Sequence, residues 1–511
     1  MPRNSINLEP YKTNIIQIFQ NNSIDSVVYH LEHHHQLQVK KSTVKSWLRR
    51  WGVRKLNPKV TSDAELHARI QVLFHQVGLE ENEMMHVLHL DGYVINRRTL
   101  RRLRKQLGLS RRADPTLAQK QADSVLKHLK EELDKGIIEG YGRRMLHRHF
   151  RTELGIVISR DRLFSHYKTI APDAVERRWQ DMQRHRGAYI VPGPDFVWSL
   201  DGYMKLEPCG IEIYAAIDAY SRYIIWVYVG ISGRTAVSVL SQYLIVLRAT
   251  GRHPLFIRSD HGTETPLIAG AHHQFHQAHK PEIPLSQCYI YGTSTENVRI
   301  ESWWGQLSKG LLFRWRDYFS ALRNGGLFSK DSVPDQIALL AVYMPILRFH
   351  IPSFVRTWNV HGIRKQNNRP HVVHGKPFMN YNYPGQGIRN HGRDASQETL
   401  RTLWDDVKDW DADEYLPPNT LRWCCDQLLE MGFDPDDPNT HLEDDPNAPY
   451  LAIYLELRSR VNLHMRGHLS PQLGLSPKPV GAFNWQPDTS SVLRSDEIDL
   501  ASYQDKSDDD T

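Results

Sequence analysis

At about Asp195 the hydrophobic periodicity of the chain changes from helical to alternating, and this switch constrains the fold more than any other feature. Downstream of it, DFVWSLDGYMKLE, IEIYAAIDAYS and RYIIWVYVG read as three successive strands with short connections, an antiparallel meander. TAVSVLSQYLIVLRATG follows as a helix closed by Gly251, PLFIRSD as a fourth strand and LSQCYIYG as a fifth. NVRIESWWGQLSKGLLFRW then reads as a long amphipathic helix, with Thr293 and Glu296 at capping-box spacing. This order predicts an α/β core built on a mixed five-stranded sheet.

Three carboxylates fall where such a core can gather them. Asp201 ends the first apolar run, Asp260 ends the fourth strand, and Glu301 lies one to two turns into the last helix. On that helix Ile300, Trp303, Trp304, Leu307 and Leu311 form the apolar stripe, while Asn297, Glu301 and Ser308 share a neighbouring face. FIRSDHGTET also reads as a plain turn, since Asp and Gly are what turns use. If the three carboxylates converge, they repel one another unless neutralised, and hard oxygen ligands select Mg²⁺ or Mn²⁺.

The front of the chain carries an internal repeat. TVKSWLRRWGV (43–53) aligns with TLRRLRKQLGL (99–109), each with apolar residues at helical spacing (Val44, Trp47, Trp51; Leu100, Leu103, Leu107), a basic opposite face and a terminal Gly52 or Gly108. Each follows a shorter amphipathic helix, roughly 24–34 and 80–89, through a turn ending in Val39 or Ile95. That is helix-turn-helix organisation. A looser third copy runs from Tyr141 to Ile170 with a thinner basic face. In such units the last helix enters the major groove, which makes Lys45, Arg49, Arg98, Arg101, Arg102 and Arg160 candidate DNA contacts. A plain helical bundle with a wet basic face is the alternative. The cluster HLEHHH (30–35) reads as an exposed helix end rather than a metal site, because no cysteines or second spaced pair accompany it.

Charge agrees with a polyanion partner. Residues 1–170 carry 30 Lys+Arg against 17 Asp+Glu, residues 171–394 carry 25 against 17, and residues 395–511 carry 9 against 24. Phosphate neutralisation by Lys and Arg supplies the sequence-independent part of nucleic-acid affinity. The four cysteines show no CxxC spacing, which supports neither a disulfide framework nor a zinc finger and predicts an intracellular setting. Apolar stretches such as 235–247 are shorter than the roughly 20 residues that cross a bilayer, so no membrane partner is expected.

The four stretches W-x-x-D (198–201), IDAYSRYI (217–224), RSDHGTE (258–264) and ENVRIESWW (296–304), in this order, resemble the integrase core of the DDE superfamily, shared by retroviral integrases and many transposases. WNVHGIRKQNNRP…GKP (358–377) is similar to the end of such cores. The resemblance implies an RNase H-like fold, with Asp201, Asp260 and Glu301 as catalytic residues and ligands of two Mg²⁺ or Mn²⁺ ions. Asp218 and Arg222 match a structural strand signature, and Asn297 matches a residue that contacts DNA or braces the helix. Arg299, Lys309, Arg314 and Arg316 are further candidate phosphate contacts. The spacing from Asp260 to Glu301 implies an insertion in the loop around His272 to Pro284, and His261 departs from the Asn common after the second aspartate. The implied activity is two-metal DNA end cleavage and strand transfer by a DNA-bound homo-oligomer, nuclear in a eukaryote. The alternative is a non-transposing descendant that binds DNA or regulates.

The expected layout is multidomain. Helix-turn-helix units occupy 1–60 and 61–113, a third helical unit 114–185, the catalytic core 190–380, a mainly α region 395–470, and a disordered acidic tail 471–511. Deleting that tail tests whether it competes with DNA for the basic front.

Overall fold

The computed structural model describes residues 7–21, 24–53, 63–109, 118–138, 141–175, 191–260, 262–292, 297–365, 372–438 and 448–478. The chain divides into two compact units, 1–74 with 79–110 and 75–78 with 111–511.

The first unit contains two trios of helices, α1 (Lys12–Asn21), α2 (Ile24–His35) and α3 (Lys41–Arg50), then α4 (Ala64–His75), α5 (Glu81–Leu90) and α6 (Arg97–Gln106). The repeat read from the sequence is visible in how α3 and α6 end. Gly52 and Gly108 adopt left-handed φ of +66° and +70°. The next residue's N–H then reaches back into the last turn, Val53 to the Leu48 carbonyl at 2.9 Å and Leu109 to that of Arg104 at 2.8 Å. Asn96 caps α6 by accepting from the Thr99 N–H. The buried stripe of α3 differs from expectation. Val44 and Leu48 are buried, whereas Trp47 and Trp51 are half-buried. Trp51 is held by donating to Glu9 at 2.7 Å, and Arg50 stacks 5.0 Å from the Trp47 ring. Indole rings this large fit at the rim, where their polar edge finds partners.

In the second unit a third trio, α7 (Ala118–Asp134), α8 (Arg143–Thr152) and α9 (Arg160–Ile170), shares one continuous hydrophobic core with the sheet. Tyr141 packs edge-on against Phe354, and Arg356 pairs with Glu153 at 2.8 Å.

The sheet follows the periodicity. β1 (Val197–Tyr203), β2 (Glu212–Asp218) and β3 (Ile224–Gly230) form the meander, and α10 (Ala236–Thr250) ends at Gly251. The short β4 (Arg252–His253) pairs outside the sheet with β7 (Arg393–Asp394). β5 (Phe256–Ser259) then joins β1 in parallel and β6 (Tyr289–Tyr291) joins β5, giving the order β3-β2-β1-β5-β6. Both faces are buried, so the strands are nearly continuously apolar. Ile213, Ala215 and Ile217 face one core, with α12 (Val298–Leu307) and α14 (Val333–Val360). Tyr214 and Ala216 face the other, with α10, α11 (Pro266–Gln277) and α16 (Gln397–Val407).

Three expectations change. The stretch 272–284, expected as a loop insertion, instead begins inside the buried helix α11, which starts at Pro266 and ends at Gln277, and only the residues after it form a loop. The helix over NVRIESWWGQLSKGLLFRW begins at Val298 and is interrupted by a π-turn at Ser308–Leu312 before α13 (Phe313–Asn324). A Cβ on Gly310 would lie 2.7 Å from the Phe354 ring, so that turn needs glycine to pack closely. Finally, α14 is long and apolar enough to span a bilayer by length and composition, but 78% of its apolar window is buried inside the protein, as a core helix is. Thr293 and Glu296 lie outside the described residues.

The short α15 (Pro377–Asn382) precedes the C-terminal region, where α16, α17 (Pro418–Glu430) and α18 (Leu451–Arg466) form the mainly α region expected over 395–470. The expected disordered tail begins too early at 471. Leu473 and Leu475 pack on the core, and the Gly474 N–H donates to Thr420 at 3.0 Å. Lys478 pairs with the buried carboxylate of Glu212.

Candidate active site

The parallel register of β1 with β5 pairs Trp198 with Ile257 and Ser199 with Arg258; continued, it brings Asp201 level with Asp260 at the strand ends. Alternation puts Trp198 and Leu200 on the α10/α11 side, so Asp201 and Tyr203 face α12. Glu301 lies in the first turn of α12, closer to its start than expected.

Side chains lock this helix to β1. Asn297 is 3% exposed, and its Nδ2 donates to the Leu200 carbonyl at 2.8 Å, next to Asp201. Of the two readings of Asn297, DNA contact or helix brace, this geometry matches the brace at the start of α12. One turn beyond Glu301, Trp304 Nε1 donates to Asp201 Oδ2 at 2.9 Å, while the Gly202 N–H donates to Oδ1 at 2.8 Å. The Asp201 carboxyl is pushed up to about 7, first by burial and then by the negative charges of Glu301 and Asp260. All three carboxylates therefore share one electrostatic neighbourhood.

A fourth acid was missed. Glu264 is 8% exposed, and burial followed by the charge of Asp260 raises its pKa. Its carboxylate packs so close to Gly262 that a Cβ there would lie 2.2 Å from Oε1, which gives Gly262 a steric purpose. RSDHGTE contained the signal, a carboxylate four residues after Asp260. His261 lies outside the described residues. Clustered carboxylates, with no cysteine or histidine described beside them, suit a hard divalent cation.

Asp218 is structural in its contacts. Fully buried, it accepts from the Ser221 N–H and hydroxyl and from the Asp195 N–H. Burial and the Asp195 charge push it up to about 7. Asp195 in turn accepts from Trp198, Tyr381 and Asn390. Arg222 adopts a left-handed φ of 62°, and its carbonyl accepts from Trp358. Asn359 bonds both backbone groups of Ile224, so the WNVHG segment clamps the outer strand β3.

The candidate DNA contacts separate by environment. Lys45, Arg49, Arg98, Arg101, Arg102 and Arg160 are exposed, and Arg299 and Lys309 are half-buried. Arg101 is bound to Glu81 at 2.9 Å and Arg160 lies 3.5 Å from Asp161. In the HLEHHH segment, His33 caps the Tyr29 carbonyl at 3.0 Å near the end of α2.

A mixed sheet in this order, with acids in β1, just past β5 and at the start of α12, matches an RNase H-like core. Residues 188–382 match the family model described as an integrase core domain, and residues 4–55 match that of a Clr5 domain. The chain thus contains a segment similar to an integrase core and, ahead of it, one similar to a Clr5 domain. No curated protein sequence matches the chain.

Proposed function

We propose that this protein is a DNA integrase or transposase that cleaves the ends of a DNA element and joins them to target DNA. The observation that supports this reading is the grouping of Asp201, Asp260 and Glu301, where the negative charges of Glu301 and Asp260 raise the energy of ionised Asp201. When bound, two Mg²⁺ or Mn²⁺ ions supply activation of a water or 3′-hydroxyl and stabilisation of the leaving oxygen. The three carboxylates hold them. Trp304 and Asn297 fix the spacing of Asp201 and Glu301, and Glu264 adds negative charge beside Asp260. Lys45, Arg49, Arg98 and Arg102 hold phosphates or base edges from the front unit, with Arg299 and Lys309 near the chemistry. Synapsis of two DNA ends calls for a homo-oligomer on DNA, working inside the cell and in the nucleus of a eukaryote.

The test is end nicking and strand transfer by purified protein with Mn²⁺ on the element's own terminal sequences. Asp260→Asn is expected to abolish both while DNA binding persists. DNA binding by the wild-type protein without either reaction would instead favour a non-transposing, DNA-binding descendant.

A further inference from the structure

On the α10/α11 side of the sheet, away from the carboxylates, three histidines meet in the core. His253 belongs to β4, and His272 and His276 lie one turn apart on α11; each is 0% exposed. One ring nitrogen from each lies within 4.8 Å of the other two. Buried polar atoms are nearly always hydrogen-bonded, yet here His253 Nε2, His272 Nε2 and both His276 nitrogens make no hydrogen bond of good geometry, the backbone of Leu255 beside His272 and of Pro254 beside His276 giving only weak contacts. The remaining nitrogens are oriented from outside: His253 Nδ1 lies 3.0 Å from the Pro254 carbonyl and His272 Nδ1 lies 2.8 Å from the Tyr243 hydroxyl. A metal-bound imidazole holds its second nitrogen in this way.

From this geometry we propose that His253, His272 and His276 form a structural site for a zinc-class transition-metal ion. Histidines four apart on a helix present both rings on one face, and the third comes from the strand packed against it. Tetrahedral zinc with nitrogen ligands at about 2.0–2.1 Å requires the nitrogens to close by at most about 1.4 Å from the 4.8 Å limit, within the reach of small ring rotations. Burial keeps all three imidazoles neutral, the form that binds metal. The donors are imidazole alone, which disfavours hard ions such as Mg²⁺; the positive charge of Arg252 and Arg393 nearby weakens binding of any dication and favours a strongly held ion such as zinc. The site ties β4 to α11, the two elements flanking the segment that carries Asp260. A metal here braces one arm of the carboxylate cluster without taking part in its chemistry.

The experiment uses full-length protein purified without a polyhistidine tag, carrying Asp201→Asn and Asp260→Asn so that the carboxylates contribute little metal binding. Elemental analysis after gel filtration is expected to find one zinc per chain, and Co²⁺ exchange to give the visible bands of a tetrahedral site. His253→Gln should weaken zinc binding at least tenfold, as loss of even an outer-shell partner does. His276→Cys should retain the metal and add a thiolate-to-Co²⁺ charge-transfer band, which a packing role does not produce. Protein that stays metal-free in the presence of zinc overturns the proposal, as does zinc content unchanged by His253→Gln, which would place the ion in the 30–35 histidine cluster. Neither result depends on DNA cleavage.

Discussion

Asp201→Asn should stabilise the metal-free protein at neutral pH and above. The Asp201 carboxyl titrates near 7 in the fold against an ordinary value of 3.8, so the folded state holds a proton that the unfolded state has already released. Between those two pH values the folded state binds more protons, and stability falls as pH rises. At about 1.4 kcal/mol per pKa unit the loss across the window is at most about 4 kcal/mol. Solvent reaching the half-buried carboxyl reduces that figure to roughly half. Asn removes the titration while its carbonyl still accepts from Trp304 or from the Gly202 N–H. Urea unfolding in EDTA from pH 4 to pH 8 should therefore show stability falling less steeply in the variant than in wild type, the remaining slope coming from groups such as Asp218, with the curves diverging most above pH 7. Saturating Mg²⁺ should restore much of the wild-type loss, because the cation replaces the proton. A variant as pH-dependent as wild type, or less stable than wild type at pH 8, would refute the reasoning.

Trp304→Phe removes a hydrogen bond to Asp201 that is charge-assisted only when the carboxyl is ionised, so its stability penalty should be about 1–1.5 kcal/mol larger at pH 8 than at pH 5; equal penalties at both would mean that only packing was lost. In the front unit, Arg102→Ala should lower the salt dependence of DNA binding by about one ion, whereas Arg101→Ala should do less, because Arg101 is already bound to Glu81. Glu81→Gln should raise DNA affinity, and filter-binding titrations across salt concentrations would separate the three. Deleting residues 479–511 should leave the melting temperature unchanged, whereas deletion from 471 should lower it by exposing the surface under Leu473 and Leu475; equal melting temperatures for the two truncations would mean that 471–478 contribute nothing.

Much of the core was legible because periodicity and burial coincide there. β1, β2, β3, β5 and β6 follow apolar runs that are continuous where both sheet faces are covered, Asp201 and Asp260 stand out as charges that close two of those runs in the sequence, and Glu301 stands out beside the apolar stripe of a helix. What escaped depended on contacts between distant residues. Trp304 sits on the apolar stripe of α12, but its indole N–H reaches a carboxylate about a hundred positions earlier. Asn297 reads from the sequence as either a DNA contact or a helix brace, and only the nearness of β1 distinguishes the two. α11 was hidden because histidines and Gly270 interrupt its apolar spacing, and those histidines are themselves interior. The tail boundary failed because Leu473 and Leu475 are too sparse to form a periodic signal, yet they cover core surface.

The choice between a working enzyme and an inert scaffold then turns on energy. A chain used only to bind DNA gains nothing from several acids crowded at one sheet edge, where ionised Asp201 destabilises the fold by a few kcal/mol. Replacing any one of them with its amide would relieve that repulsion and keep most hydrogen bonds. Instead, Trp304 aims a donor at Asp201, Asn297 sacrifices a buried acceptor to pin the helix that carries Glu301, and Gly262 leaves room for a further carboxylate beside Asp260. These devices stabilise the charged arrangement itself rather than the surrounding fold. A strained, negatively charged site held at fixed spacing has a use when cations occupy it, and this favours retained phosphoryl-transfer chemistry over a DNA-binding role alone.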